Sequence, residues 1–447
     1  MELPEAIRQR FLERLTRLCA LPSVAATGSA QAETAAEVAR QLESLGLQVE
    51  LHRTAGAPVV FAERRVAGKP TVLFYNHYDV QPPEPLELWD SDPFTLTERD
   101  GHLYARGAAD DKGDLVARMA ALEWLAERNG GELPVGVVFV VEGEEEVGSP
   151  NIDAYVAAMQ ERLQADACVW EFGGVGASGH PELTCGLKGI VSLDLKLRTA
   201  NADQHSGRGP VIQNAVWKLA AAVASLRDMD GNSLVEGFMD DVLPLSPLQE
   251  QLLAEAPSED AELAAATGVA GFLGGVSGAE FQRRLQATPV INVNGLHGGY
   301  GGDGTKTVLP ATAAAKLDIR LVPGQKPERV VGLIRAHLDR HGFADVEISQ
   351  AELPGLPSRV DPGDPWLRHC AAALEEAYGK AAVIKVSSGG SGPMHAFADV
   401  LGLPVAMLGI SHADSRAHAP NENIRWQDVH RGSFALVRAI ENWAAQG

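Results

Sequence analysis

The sequence predicts an α/β fold in which a mostly parallel sheet flanked by helices is interrupted by an inserted α+β domain. Continuous apolar runs such as Val135 to Val141 alternate with segments of helical periodicity, the pattern of parallel strands buried on both faces. From about Gly189 the strands change character: Ile190 to Arg198 alternates apolar and polar residues, as a half-solvated antiparallel strand does. After Pro365 the first pattern returns. At 447 residues the chain exceeds the usual size of one hydrophobic core. We therefore expect a first domain made of residues 1–187 and 354–447, with a second domain, 188–353, inserted in it.

The elements follow in order. Ile7, Phe11, Leu15 and Leu18 recur at helical spacing in residues 4–19. A second helix runs from Glu33 to Leu45 and stops at Gly46, before a strand that ends in Val49 to His52. Val59 to Glu63 and Thr71 to Tyr75 read as strands, Asp114 to Arg128 as a helix closed by Asn129-Gly130, and Val135 to Val141 as the most apolar strand. A helix from Ile152 to Gln164 and a short strand from Cys168 to Phe172 complete this part. In the insert, the strand Ile190 to Arg198 precedes a helix from Asn214 to Leu226. Residues 228–288 are acidic, Ala/Gly-rich and weakly periodic, and resolve only into helices and loops. Strands at Pro289 to Val293, Ala313 to Leu321 and Val346 to Gln350, with a helix at Pro327 to His341, close the insert. From Pro365 onward come helix, apolar strand, Gly-rich loop, apolar strand and helix.

Composition narrows the function. The chain is 45% hydrophobic and 22% charged, as in ordinary globular enzymes. Its 38 basic against 59 acidic residues leave a charge of −21, which disfavours nucleic acid or an anionic membrane as partner. The four cysteines, Cys19, Cys168, Cys185 and Cys370, are scattered and read as buried thiols in a reducing compartment. Glu13, Arg14 and Arg17 break any signal-peptide core, and no run approaches the ~18 apolar residues of a membrane span. A cytoplasmic protein is expected.

Chemistry gathers where the apolar strands end. Strand 71–75 runs into Asn76-His77-Tyr78-Asp79, and a His followed two residues later by a carboxylate can be a metal ligand oriented by that carboxylate. Alone, such a His is more often a solvated turn residue. Arg106 to Gly113 (RGAADDKG) opens a helix, so its aspartates could simply cap it; that reading suits Asp111 or Asp114 better than Asp110. Glu142 to Ser149 (EGEEEVGS) follows the most apolar strand, and four acids there repel one another unless a cation resolves the repulsion. Glu171 ends another apolar strand, and the final cluster runs from Ser411 to Glu422 through His412 and His418. Histidine with carboxylate ligation suits Zn²⁺, and also Mn²⁺ or Co²⁺, while the lack of sulfur argues against a structural zinc site. The carboxylates of Asp110, Glu146 and Glu171 plus one hydroxide would balance two divalent cations.

Taken together, His77-x-Asp79, RGAADDKG, EGEEEVGS, Glu171, Asp203-Gln204-His205-Ser206-Gly207 and His418 closely resemble the di-metal peptidase family of carnosinase-like dipeptidases, glutamate carboxypeptidase, aminoacylase and succinyl-diaminopimelate desuccinylase. The resemblance spans essentially the whole chain and leans towards the dipeptidase branch. It implies two divalent ions per subunit, Zn²⁺ first. Asp110 would bridge them, His77 and Glu171 completing one site and Glu146 and His418 the other, with Asp79 orienting His77. Glu145 would be the general base, taking a proton from the water between the ions and returning it to the departing amine. The adjacent Glu144 leaves a one-residue ambiguity, which counting back from Gly148-Ser149 resolves in favour of Glu145 and Glu146.

The same resemblance makes the insert a lid and dimerisation domain. His205 would reach a neighbouring subunit's site and stabilise the oxyanion. Arg320 would bind the substrate carboxylate, although a salt bridge to Asp318 or Glu328 is an equal reading. Gly390, Ser391 and Gly392, in the loop Gly389 to Pro393, would contact that carboxylate through backbone donors. Domain motion would be needed to carry His205 and Arg320 to the metals. The implied function is hydrolysis of dipeptides or short peptides with a free carboxylate. N-acyl-amino-acid deacylation is the alternative within the same chemistry; a non-catalytic binding homologue and a single-metal protein are readings from other classes.

Overall fold

The computed structural model describes residues 2–350 and 354–445. The expected boundary at 353/354 therefore has its first side outside the described residues. The first part of the chain supplies helices α1 (Glu5–Cys19) and α2 (Gln31–Glu43), strands β1 (Gln48–His52), β2 (Val59–Arg64) and β3 (Thr71–His77), helix α3 (Lys112–Arg128), strand β4 (Gly136–Glu142), helix α4 (Ile152–Ala158) and strand β5 (Ala167–Trp170). Next come β6 (Gly189–Arg198), α5 (Ala215–Ala224), α6 (Pro247–Glu255), α7 (Asp260–Thr267), α8 (Gly278–Ala287), β7 (Val290–Gly298), β8 (Thr312–Leu321), α9 (Pro327–Arg340) and β9 (Glu347–Gln350). Helix α10 (Pro365–Tyr378), strand β10 (Val405–Met407) and helix α11 (Trp426–Ala444) return to the first sheet.

That sheet has the order β1-β2-β4-β3-β5-β10. Strands β4, β3, β5 and β10 run parallel, and β1 and β2 join antiparallel at the edge. Successive residues of its central strands face opposite layers. Val72 and Phe74 of β3, with Val137, Phe139 and Val141 of β4, pack into the cluster that includes α1, α3, α10 and α11, while Leu73, Tyr75, Val138 and Val140 pack into a second cluster with Ile152 and Val156 of α4. Every residue of β3 and of β4 is buried. Each large apolar side chain among them contributes about 1.5–3 kcal/mol, so the sheet is anchored at the strand ends that carry the polar clusters.

The second sheet, β7-β8-β6-β9, is antiparallel throughout. Along β6 the odd residues Val191, Leu193, Leu195 and Leu197 are buried beneath α5 and α9, as the alternation predicted. A third, mixed sheet joins Gly174–Val175 and Pro181–Thr184 to Val383–Lys385 and Ser411–His412. It stitches residues before the insert to residues after it. Among the described residues no helix is long and apolar enough to cross a membrane.

Two expectations need correction. Helix α4 ends at Ala158 rather than Gln164, because the Arg65 guanidinium takes the carbonyls of Arg162 and Gln164 at 2.5 and 2.7 Å and Leu163 turns into the core. Strand β7 continues to Gly298 rather than stopping at Val293: a register shift between Val293 and Gly295 absorbs the Asn-Gly pair that reads as a turn.

Candidate metal centre

His77 is the last residue of β3 and is fully buried. Its Nδ1 lies 3.1 Å from the Asp79 carbonyl and 3.3 Å from the Asp79 carboxylate, so the Nδ1 proton is held there. The other nitrogen, Nε2, is left to face Asp110 Oδ1 at 3.0 Å and Glu171 Oε2 at 3.8 Å. A histidine fixed in this way presents a lone pair to a cation. Asp110 reaches both ways, its second oxygen lying 2.8 Å from His418 Nε2, and Glu146 is 3.2 Å from the same nitrogen.

Two groups of donor atoms result, His77 with Asp111 and Glu171, and Asp110 with Glu146 and His418; within each group the atoms lie within 4.8 Å of one another. Among the described residues, Glu146 Oε1, Glu171 Oε2 and Asp111 Oδ1 are buried without a hydrogen-bond partner. Burial and the neighbouring negative charges push the carboxyls of Glu145 and Glu171 well above their ordinary values. Orphaned acceptors and surplus negative charge, with no sulfur donor, fit two hard or borderline divalent cations.

The acidic run after β4 divides by orientation. Glu142 turns into the core, where Tyr75 and Ser149 hydroxyls donate to it at 2.7 and 2.9 Å and burial raises it to about 8. It therefore stands apart from the donor groups, whereas the sequence sets a cation against the repulsion of all four acids. Glu144 turns to Asn151, whose Nδ2 donates at 2.6 Å. Glu145 and Glu146 face the donor groups, and their backbone N–H groups donate to the Asp79 carboxylate at 3.3 and 2.9 Å.

A family model described as "Peptidase family M20/M25/M40" matches residues 73–442. The chain belongs to this family. It is similar to the Cys-Gly metallodipeptidase of Schizosaccharomyces pombe, 29% identical over 96% of this chain and 95% of that protein. It is also similar to the Beta-Ala-His dipeptidase of Rattus norvegicus, 30% identical over 86% of this chain and 80% of that protein. Among solved structures it resembles the M20 family metallo-carboxypeptidase of Sulfolobus solfataricus, with a TM-score of 0.90 and 35% identity over 97% of this chain and 99% of that one.

In this M20 peptidase the glycine-rich loop adjoins the donor groups. A Cβ built on Gly392 would lie 3.4 Å from Glu145 Oε1 and 3.6 Å from Glu171 Oε1, so the backbone there passes close to both acids. The neighbouring Ser391 receives Arg320, whose Nη1 donates to Ser391 Oγ at 2.9 Å while Nε lies 3.2 Å from Asp318. Arg320 thus makes the salt bridge to Asp318 and at the same time reaches the glycine-rich loop. Gly390 lies in the same loop and lines a cavity with Ser391. His205 makes none of these contacts: it is exposed, and its Nδ1 accepts the Gly207 N–H at 3.0 Å.

Four supporting residues are either read from the sequence as helix caps, as Asp111 and Asp114 are, or given no role, as with Gln81 and Glu422. Asp111 sits at the start of α3 but caps nothing; it accepts Asn76 Nδ2 at 2.5 Å and the His77 N–H at 3.1 Å. Asp114 likewise leaves its helix to accept the Ile410 N–H at 2.9 Å. Gln81 donates to Glu146 at 2.8 Å. Fully buried Glu422 accepts the N–H groups of Gly107, Ala109 and Asp110 and the Arg106 guanidinium, so the RGAADDKG loop is wrapped around one carboxylate. The available signal was Arg106 beside three small residues, a loop in need of a buried counter-charge.

Proposed function

We propose that this M20 peptidase hydrolyses dipeptides or short peptides bearing a free carboxylate, using two divalent metal ions held by His77, Asp110, Glu146, Glu171 and His418. The observation that carries the reading is the pair of donor groups spanned by Asp110, with Glu145 beside them. The named relatives, a Cys-Gly and a Beta-Ala-His dipeptidase, favour dipeptides over N-acyl amino acids as substrates.

Bound ions would supply Lewis acidity at the scissile carbonyl and acidify the attacking water, with Zn²⁺ first and Mn²⁺ or Co²⁺ as alternatives. The chain's own residues do the rest. Asp79 fixes the His77 tautomer and, through the backbone of Glu145 and Glu146, the position of both glutamates. Glu145 takes the proton of the attacking water and delivers it to the leaving amine. Arg320, Gly390, Ser391 and Gly392 hold the substrate carboxylate, a task for which a guanidinium beside glycine backbone is suited.

Residues 188–353 act as the lid in this reading, and 1–187 with 354–447 carry the metals. Exposed Trp217 and Val211, at 76% and 86%, support a homodimer through that segment, which would bring His205 to a partner's site. Four buried free thiols support a cytoplasmic location.

The test is metal content per chain together with turnover of a dipeptide panel and of N-acetyl amino acids, for wild type and Glu145→Gln. Two ions in both proteins, with dipeptide cleavage reduced about 10²–10⁴-fold in the variant, is the expected result. Cleavage confined to N-acetyl amino acids would replace the reading with a deacylase.

A further inference from the structure

Beside Glu171 lies a cavity of ≈ 610 Å³ that opens to solvent. The glycine-rich loop borders it through Ser388, Gly390 and Ser391, and α7 and α8 add a wall of Leu263, Phe281 and Leu285. The same cavity holds an ion-pair cluster. Lys385 Nζ lies 2.8 Å from Glu182 Oε1 and 3.3 Å from Glu259 Oε1. Glu262 also lines the cavity and makes no ion pair among the described residues.

We infer that this cavity receives the side chain of the substrate residue whose carboxylate lies at the glycine-rich loop, and that it selects a long basic side chain, lysine or arginine. The inference rests on the peptidase reading above. Position comes first. A peptide with its carbonyl at the donor groups and its carboxylate at Ser391 and Arg320 has its C-terminal residue beside the wall that Glu171, Ser388 and Gly390 share with the cavity. Size comes second, since the space is far larger than a glycine or alanine side chain needs and is typical of a pocket that holds a small molecule.

Charge decides the class. Glu182 and Glu259 share the one ammonium of Lys385, and the exposed Glu262 lines the same cavity, so this part of the lining carries more negative charge than positive. Burial alone would lower Lys385, but Glu182 and Glu259 outweigh it and hold the ammonium above its ordinary value. Burial raises the Glu182 carboxyl, Lys385 draws it back, and Glu259 adds to the rise. A lysine or arginine head would meet the unmatched carboxylates while its methylene stem lies along Leu263, Phe281 and Leu285. An acidic side chain would have to displace a glutamate from Lys385 and add to the repulsion, which is discrimination by an unfavourable contact.

The experiment compares Ala-Lys, Ala-Arg, Ala-norleucine, Ala-Glu and Ala-Gly as substrates of the metal-loaded protein, in wild type and in the double variant Glu259→Gln/Glu262→Gln. Norleucine keeps the lysine stem without the charge. Binding of the same dipeptides to Glu145→Gln, measured by calorimetry, reads the pocket independently of turnover. We expect Ala-Lys to exceed Ala-norleucine by about tenfold or more in kcat/KM and in affinity, Ala-Glu to be poorest, and the Lys-to-norleucine ratio to fall towards one in the double variant. Equal values for Ala-Lys and Ala-norleucine, or a preference that survives the double variant, would overturn the pocket assignment and leave the peptidase intact. Failure to cleave any dipeptide would overturn the peptidase reading, and the calorimetric ratio would still decide the pocket.

Discussion

The carboxylate of Glu422 accepts the backbone N–H of Asp110 at 3.0 Å across 312 residues of chain. Its other oxygen takes the Arg106 guanidinium at 2.6 Å, and neither Glu422 nor Arg106 is exposed by more than 1%. The loop that carries the central aspartate of the candidate centre is thus built around a residue from the far end of the sequence. Replacing Glu422 with Gln removes the charge that matches Arg106 and turns an amide N–H towards other N–H groups. We expect Glu422→Gln to lower the stability of the metal-free protein by about 3–5 kcal/mol, the range for breaking one partner from a buried pair, read from denaturant midpoints.

Asp79 has a comparable place on the other side of the centre. Its carboxylate serves His77 Nδ1 and the N–H groups of Glu145 and Glu146 at once. In Asp79→Asn an amide N–H must face at least one of these donors, loosening both the imidazole and the turn that follows β4. Metal affinity should fall about 10–100-fold, measured by competition with a chromogenic chelator. Affinity equal to wild type would show that His77 is oriented by the Asp79 carbonyl alone.

The pair His395–Asp399, 3.1 Å apart, gives a pH dependence away from the metals. Hydrogen bonding to Asp399 raises the imidazole above its ordinary 6.5. Burial would raise Asp399, but His395 and the Ser358 hydroxyl outweigh it and hold the carboxyl below its ordinary 3.8. The histidine's contribution is complete below 6.5 and is lost as pH rises through its folded value; the aspartate's is complete above 3.8 and is lost as pH falls through its folded value. The stability deficit of metal-free Asp399→Asn should therefore be largest between those pH values. Partial exposure of both side chains keeps it to about 0.2–1 kcal/mol, and thermal melts at a series of pH values would measure it.

All four cysteines are buried. Burial pushes the Cys19 thiol up to about 12, against the pull of Lys112, and holds Cys168, Cys185 and Cys370 above their ordinary values too. A thiol reagent at neutral pH should modify none of them in the native protein and all of them after denaturation. A rapid native reaction would place a thiolate where the structure has a packed side chain.

The elements themselves were legible wherever one local rule acted. The unbroken apolar run of β4 and the alternation of β6 came through because backbone geometry sets the period of burial within a strand. His77, Glu171 and the Glu145-Glu146 pair, which the structure brings together, could be singled out because they stand at the ends of such strands. Ser246-Pro247-Leu248-Gln249 carries a further local signal: it forms a capping box that starts α6 inside 228–288, the stretch that the sequence resolves only into helices and loops.

What the sequence determined by itself was therefore the alternation of buried strands and helices, the inserted antiparallel unit and the residue types gathered at the strand ends. Only the tertiary structure decided that Asp111 serves Asn76 and His77 rather than capping its helix, that Glu142 leaves the acidic cluster, that Glu422 holds the Asp110 loop, and that α7 and α8 line a cavity beside Glu171. Periodicity is a property of neighbouring residues. The partner of a buried charge is set by the order in which strands join the sheet, and β10 returns from the end of the chain to lie against β5, which leads into Glu171.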